Sequence, residues 1–277
     1  MVKRRTVRRR SQRSRDERAL ILTYHAVENG PPPLCLDPAE FEAHADVIAG
    51  SGRTVLTVRD LAERLTAGTL DRRAVAITFD DGFSSVCESA APILEARGLT
   101  ATVFCVAGHL GDTSAWPSAR QGGFHSRLAS APALAELAAR GFEIGSHGFE
   151  HAPLAGASAE MLQQEVVDSR RLLEEATGSR VTSFAYPYGA LPGQPGASLV
   201  SKTYDAACTT ALRRVASGSE RHALPRVDAH YVRSPDVLRR VLDGRLESYL
   251  RGRGLAVRAR RALVKDYSTH PTGVLGT

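Results

Sequence analysis

Three stretches place acidic and imidazole side chains where chemistry could be done. Ala74–Phe83 reads AVAITFDDGF, an apolar run that stops at two carboxylates, Asp80 and Asp81, and a glycine. A short apolar run closed by a turn residue predicts a buried strand. Adjacent strand residues point to opposite faces, so Asp80 and Asp81 are expected to diverge, one to hold a metal and the other to handle a proton. By itself the stretch reads equally as a polar turn, with Ser84 and Ser85 opening the next helix. His147 and His151 lie four apart in SHGFEH, and one helical turn would put both rings on one face. An isolated pair of this kind is more often solvated or capping, but FEIG feeds strand-like into His147 and Pro153 limits any helix. Two imidazoles and one carboxylate, assigned to Asp81, make a three-ligand site with open positions, as a hydrolytic zinc centre needs. Water on such an ion falls from a pKa near 15.7 toward about 7, and Asp80 can then take its proton as general base.

The elements that must position these groups alternate. LILTY (20–24) predicts a strand ending at His25. A helix follows over 37–49, with Asp37 as N-cap and Pro38 in its first turn. A strand over 54–58 and a helix over 58–66 precede the DDG strand. Beyond it come a helix over 84–97, a strand over 101–106 and a helix over 133–140. A strand over 142–145 and a long amphipathic helix over 158–177 follow, then strand-like 183–186, 206–209 and 223–227. Between them, 108–129 is a long Gly-, Ser- and His-containing loop with the sole tryptophan, Trp116, and loops of that length are functional or disordered. Alternating strands and helices imply a parallel sheet, open or closed into a barrel. In either form, chemistry gathers at the carboxyl ends of strands. His25, Asp80 and Asp81, His147 and His151, and Tyr186-Pro187-Tyr188-Gly189 all lie just past predicted strands.

Charge is segregated along the 277 residues: about +7 over 1–18, −7 over 19–238 and +6 over 239–277, for a net +6. An acidic body argues against a specific nucleic-acid partner, and the basic first 18 residues are expected to be a disordered tail. The basic segment Asp236–Lys265 has helical spacing of Leu238, Val241, Leu242, Leu246, Tyr249 and Leu250 and is expected to pack as a surface helix. Peripheral contact with an anionic membrane face is the alternative. No apolar run reaches the roughly 18 residues of a membrane span, and Ala19–Leu22 is too short for a secretory core, so a cytoplasmic location is expected. Cys35, Cys87, Cys105 and Cys208 form no C-x-x-C pair and should be plain thiols. The expected organisation is a tail (1–18), one catalytic domain (19–245) and a basic C-terminal helix and tail (246–277).

TFDDG (78–82), SHGFEH (146–151) and FAYPYG (184–189) together resemble the first three motifs of the polysaccharide deacetylases, the NodB-homology domains of carbohydrate esterase family four. The resemblance spans most of residues 19–233, and the three motifs in this order are specific. It implies an α/β fold, a distorted (β/α) barrel in a single domain, and metal-dependent removal of N-acetyl, sometimes O-acetyl, groups from sugars. The metal expected is Zn2+, with Co2+ or Ni2+ as substitutes. By the resemblance Asp80 is the base, Asp81, His147 and His151 are the ligands, and the Tyr188 backbone N–H helps hold the oxyanion, a type of contact worth about 3 kcal/mol. Two departures stand out. Ala185 replaces the arginine usual in the third motif, and no late Leu-x-His acid motif is evident. Both are similar to a permuted branch that includes poly-N-acetylglucosamine deacetylases, whose first strand ends in Tyr-His as Tyr24-His25 does here. His25 is then the candidate acid for the leaving amine, and Arg226 in LPRV the candidate for the missing charge, orienting Asp80. Asp228 and His230 are candidate site-lining residues, as are Phe149 and Glu150.

HGFEH also satisfies H-x-x-E-H, the inverted-zincin pattern in which Glu150 would be the base of a metallopeptidase, although that motif belongs in the middle of a long helix. Two His and one Asp could instead hold Fe(II) in an oxygenase. A glycan-binding relative without catalysis is the non-enzyme reading that Ala185 motivates. The reading that covers the most residues is a hydrolase of N-acetylated sugars in glycan or exopolysaccharide metabolism, with an N-acetylated sugar or glycan as its partner.

Overall fold

The computed structural model describes residues 18–116 and 123–263. The expected tail over 1–18, apart from Arg18, and the end of the C-terminal segment lie outside the described residues. Five-residue strands β1 (Leu20–Tyr24) and β5 (Val75–Phe79) pair in parallel along their full lengths, Leu20 opposite Val75 and Tyr24 opposite Phe79. The sheet continues through β6 (Thr102–Cys105), β7 (Glu143–Ser146), β8 (Ser183–Ala185) and β9 (Ala206–Cys208), all parallel. Short β4 (Val55–Leu56) also pairs with β5, and β2 (Ala26–Val27) pairs separately with β3 (Cys35–Leu36).

Residues 221–228 close the curl. Leu224 bridges to Cys208 in β9, while β10 (Val227–Asp228) pairs with β1 through Leu22 and Thr23. The expected strand over 223–227 is thus split between two neighbours. The result is a distorted parallel (β/α) barrel in a single domain.

Alternation along the strands sorts two cores. Ile21, Ala76, Phe104, Ala185, Cys208 and Leu224 belong to one cluster. Leu20, Leu22, Tyr24, Val75, Ile77 and Phe79 belong to the other, which packs against the outer helices. Each fully buried Leu, Ile or Phe contributes about 1.5–3 kcal/mol. Helix α1 (Pro38–Ala49) starts at Asp37, whose carboxylate accepts the Ala39 N–H, and buries Phe41, Ala45 and Ile48. Helix α2 (Val58–Thr66) shares the first cluster through Val58, Leu61 and Ala62. Its first N–H groups are taken by Thr102 Oγ1 and the buried Glu143 carboxylate at the amino ends of β6 and β7.

Two predicted helices contain π turns: Val86–Ala90 before α3 (Ala91–Glu95), and Gln163–Asp168 between α5 (Ala159–Leu162) and α6 (Ser169–Thr177). Helix α4 (Ala131–Ala139) lies between them, and α7 (Gly196–Thr203), absent from the pattern reading, follows β8. The basic C-terminal segment breaks into α8 (Pro235–Leu242) and α9 (Glu247–Leu263) at Gly244 and Leu246, both with positive φ. Leu238, Val241 and Leu250 are buried, Arg214 pairs with Glu247, and Leu255 is exposed. None of the helices among the described residues is long and apolar enough to cross a membrane. The four cysteines are free thiols.

Candidate active site

The two aspartates separate because the backbone turns between them. Asp80 continues the ladder, its N–H donating to Tyr24 O at 2.9 Å. Asp81 then adopts φ 70° and Gly82 φ 76°, where a β-carbon would stand 3.1 Å from Cys105 Sγ. Left-handed backbone is tolerated by Asp and native to Gly. Asp81 thereby faces the histidines, while Asp80 faces a different partner.

His147 and His151 do come together, but not through a helical turn. His147 extends β7, its N–H donating to Cys105 O at 2.8 Å, and residues 148–154 form a loop. Gly148 (φ 89°) and His151 (φ 55°) reverse the chain so that the rings lie 4.8 Å apart, centroid to centroid. The helical expectation for this pair is corrected: Gly148 supports a conformation that ends regular structure rather than a turn that continues it. Asp81 Oδ1 is 3.5 Å from His147 Nε2 and 3.4 Å from His151 Nε2, and all three side chains are buried. His147 Nδ1 lies 2.7 Å from Ala185 O. A carbonyl can only accept, so Nδ1 carries a proton and Nε2 is the nitrogen turned toward Asp81. Burial first, then His147, hold His151 well below the ordinary imidazole value, so its ring is neutral. Burial raises the Asp81 carboxyl, a bias that a nearby cation reverses. Two imidazole nitrogens and one carboxylate converging in this way fit a divalent cation, and Asp81, His147 and His151 have ligand atoms within 4.8 Å of one another.

Glu150 is not part of this group. Its carboxylate lies 2.9 Å from His109 Nε2, and the loop is further tied to the 107–109 turn by N–H groups of Ala107 and Gly108 donating to Gly148 O and Phe149 O. A peptidase base would have to face the cation, and H-x-x-E-H would have to be helical. Neither holds here.

Asp80 meets Arg226. The guanidinium grips the carboxylate with both ends, Nη1 to Oδ1 at 2.6 Å and Nη2 to Oδ2 at 2.7 Å, and its Nε donates to Thr209 O at 3.0 Å. Arg226 is 2% exposed and Asp80 3%. Burial alone would raise the Asp80 pKa, but Arg226, with His147 and His25, outweighs it and lowers it to about 2. The arginine that meets Asp80 therefore comes from the barrel-closing segment.

His25 and Asp80 are the next residues after paired Tyr24 and Phe79, which sets them at the same level on adjoining strands. His25 also lines a small cavity with Asp228 and His230 at the carboxyl ends of β1 and β10. Asp228 Oδ1 accepts the His230 N–H at 2.8 Å. Tyr188 lies in the 3-10 turn Pro187–Gly189 with φ 58°, its ring 4.7 Å from His151. Of the four non-glycine residues with positive φ among those described, three are Asp81, His151 and Tyr188. Such strain gathers where surrounding structure imposes a functional geometry.

Two neighbours were not assigned from sequence. Trp116 stacks on His151 with centroids 4.5 Å apart. Glu165 accepts three N–H groups of the 149–152 loop. A lone tryptophan in a long loop marked the first. For the second the signal was a glutamate amid the buried positions Leu162, Val166, Ser169 and Leu173.

A family profile described as polysaccharide deacetylase matches residues 67–207. The chain belongs to the polysaccharide deacetylase family. The matched span contains Asp80, Asp81, His147, His151 and Tyr188; His25 and Arg226 lie outside it. YxkH of Bacillus subtilis, which bears the name of a polysaccharide deacetylase, is 29% identical over 170 residues, 61% of this chain and 56% of that protein. The chain thus spans little more than half of that relative. The poly-β-1,6-N-acetyl-D-glucosamine N-deacetylase of Staphylococcus epidermidis is 22% identical over 235 residues, 76% of this chain and 78% of its own length. Among solved structures, the Streptococcus pyogenes deacetylase PplD in complex with acetate aligns with TM-score 0.69 and 22% identity, covering 79% of this chain and 96% of that one. IcaB from Ammonifex degensii aligns with TM-score 0.65 and 23% identity over 82% and 96%. Both have the deacetylase barrel fold.

Proposed function

We propose that this polysaccharide deacetylase is a divalent-cation-dependent hydrolase that removes N-acetyl groups from an N-acetylated glycan. The observation that carries the reading is the division between the two aspartates: Asp81 beside His147 and His151, Asp80 beside Arg226. Asp81, His147 and His151 would hold the cation, Zn2+ first with Co2+ or Ni2+ able to replace it. Bound there, it supplies Lewis acidity toward the acetamide carbonyl and acidifies water.

The protein's own groups then have separate tasks. Asp80, kept ionised by Arg226, accepts the proton of the attacking water. The Tyr188 N–H is offered to the carbonyl oxygen as negative charge develops there. His25, level with Asp80 across the site, delivers a proton to the departing nitrogen. Acetate and a free amine on the sugar are the products, with one water consumed.

The family supports an acetylated polysaccharide, and the Staphylococcus epidermidis relative makes poly-β-1,6-N-acetylglucosamine the first polymer to test. Acetate release is to be measured on that polymer, chitooligosaccharides, acetylxylan and monomeric N-acetylhexosaminides, with and without chelator. Chelator-sensitive release from an N-acetylated substrate is expected. Sugar binding without acetate release at saturating Zn2+ would identify a catalytically inactive relative instead.

A further inference from the structure

We infer that Glu165 is the positioning residue that shapes the His147–His151 loop for its cation. Glu165 lies on the helix after that loop, 1% exposed, and contributes no atom to the Asp81–His147–His151 group. Its two carboxylate oxygens face the loop. Oε2 accepts the Phe149 N–H at 2.9 Å and the Ala152 N–H at 3.4 Å, and Oε1 accepts the Glu150 N–H at 2.8 Å. Two of these donors, Glu150 and Ala152, flank His151. The backbone of residue 151 is thus fixed from both sides in the left-handed conformation that turns its ring toward Asp81.

The surroundings are shaped for that approach. A β-carbon on Gly148 would stand 2.3 Å from Glu165 Oε2, so no other residue leaves the carboxylate its place. Glu165 projects from the π turn Gln163–Asp168. A π turn breaks regular helical pairing, and such turns recur at functional sites. Two carbonyls of this turn also accept side-chain donors: Ser169 Oγ donates to Glu165 O at 2.6 Å, and Tyr204 OH to Val166 O at 2.8 Å. Ser146, the residue before His147, donates to Ser169 Oγ at 2.9 Å and accepts the Gly148 N–H at 3.2 Å. The loop is held at one end by Ser146 and at the other by Glu165, and both anchors join at the π turn. A carboxylate with three backbone donors is a charge-assisted clamp that an amide cannot reproduce, because an amide has one acceptor oxygen.

This inference rests on the cation reading of the site, and the test separates the two. Co2+ is titrated into apoprotein of the full chain, wild type and Glu165→Gln, with affinity read by chelator competition and ligand geometry by the visible spectrum. Far-UV circular dichroism and Tm are recorded on the same samples. Glu165→Gln is expected to remain folded, to bind Co2+ about 10–100-fold more weakly, as removal of outer-shell support does elsewhere, and to alter the spectrum. A folded Glu165→Gln with wild-type affinity and spectrum overturns the assignment. So does a Glu165→Gln chain without native circular dichroism, since the carboxylate then serves the whole barrel rather than the loop. Failure of the wild type itself to bind Co2+ would instead overturn the cation reading and this inference with it.

Discussion

Arg226 grips Asp80 through two parallel hydrogen bonds of 2.6 and 2.7 Å at the closing seam of the barrel. The two residues are 146 positions apart, yet each is almost completely buried. A planar fork matched to a carboxylate fixes the direction of the Asp80 lone pairs as well as its charge.

Removal of Arg226 therefore has two consequences. Arg226→Ala leaves a buried unpaired carboxylate and is expected to cost about 3–5 kcal/mol of stability, read from the urea midpoint. It also releases Asp80 to the effect of burial, so the acid limb of the kcat/KM profile moves to higher pH. In the wild type the folded pKa of Asp80, about 2, lies below its ordinary 3.8. The stability this confers is complete above the unfolded value and is lost as pH falls from about 4 through 2. Arg226→Lys keeps the charge without the fork and should retain more stability than activity. An unmoved acid limb in Arg226→Ala would show that Asp80 is not the base.

The separation of the aspartates predicts separable defects. Asp80→Asn keeps Co2+ or Zn2+ but loses about 10²–10⁴-fold in turnover, the range for removal of a general base. His147→Ala loses cation and turnover together. Metal content measured after dialysis, alongside acetate release, decides. Equal metal loss in the two variants refutes this division of labour.

Burial keeps His151 neutral, and His44, bonded to Tyr24 OH and Arg233 O, is also held below its ordinary value by burial. In the unfolded chain both titrate near 6.5. At these two rings the unfolded state thus binds more protons below that pH, and their contribution to apoprotein stability falls as pH decreases from about 6.5. Protons also compete with the cation for the imidazoles, so cation affinity falls in the same direction. Tm of chelator-treated protein at pH 7.5, 6.5 and 5.5 measures the first effect. His44→Gln removes one contribution and should flatten the slope. A His44→Gln chain whose Tm changes with pH as the wild type's does contradicts the neutral-ring assignment for His44.

Glu150 supplies a test of the peptidase alternative. It is paired with His109 and is partly exposed. Glu150→Gln is expected to cost no more than about 1 kcal/mol, in keeping with exposed pairs, and to leave acetate release within several-fold of wild type. Complete loss in Glu150→Gln, with Asp80→Asn still active, would favour the inverted-zincin assignment.

Much of this site was legible because strand ends are legible. LILTY before His25 and VAITF before Asp80 are both five-residue runs, and their in-register pairing makes His25 and Asp80 neighbours. Helices α1 and α2 begin where Asp37 and Thr57 cap them, since capping chemistry is local. What depends on distant chain was less legible. The loop over 147–151 has helical spacing, but Gly148 and the Glu165 clamp override it. The π turns leave no mark in a 3.6-residue pattern, because a one-residue expansion does not disturb an apolar stripe enough to be seen. Ala185 offers Asp80 no charge, and it is the closure of the sheet by residues 221–228 between β9 and β1 that brings Arg226 to Asp80.

His25 can be tested by the chemistry of the leaving group. An amine departing from a sugar needs a proton as the C–N bond breaks, whereas 4-nitrophenolate departing from an aryl acetate needs none. His25→Ala is therefore expected to lose about 10²–10⁴-fold in kcat on the N-acetylated glycan, to retain its cation, and to hydrolyse 4-nitrophenyl acetate within several-fold of wild type. The cavity beside His25 contains Asp228 and His230, so His230→Ala serves as the control for a substitute acid at the same mouth. If His25→Ala loses both substrates equally, His25 positions the substrate or the base rather than protonating nitrogen. If His230→Ala instead shows the selective loss, the acid comes from β10 and not from the end of β1.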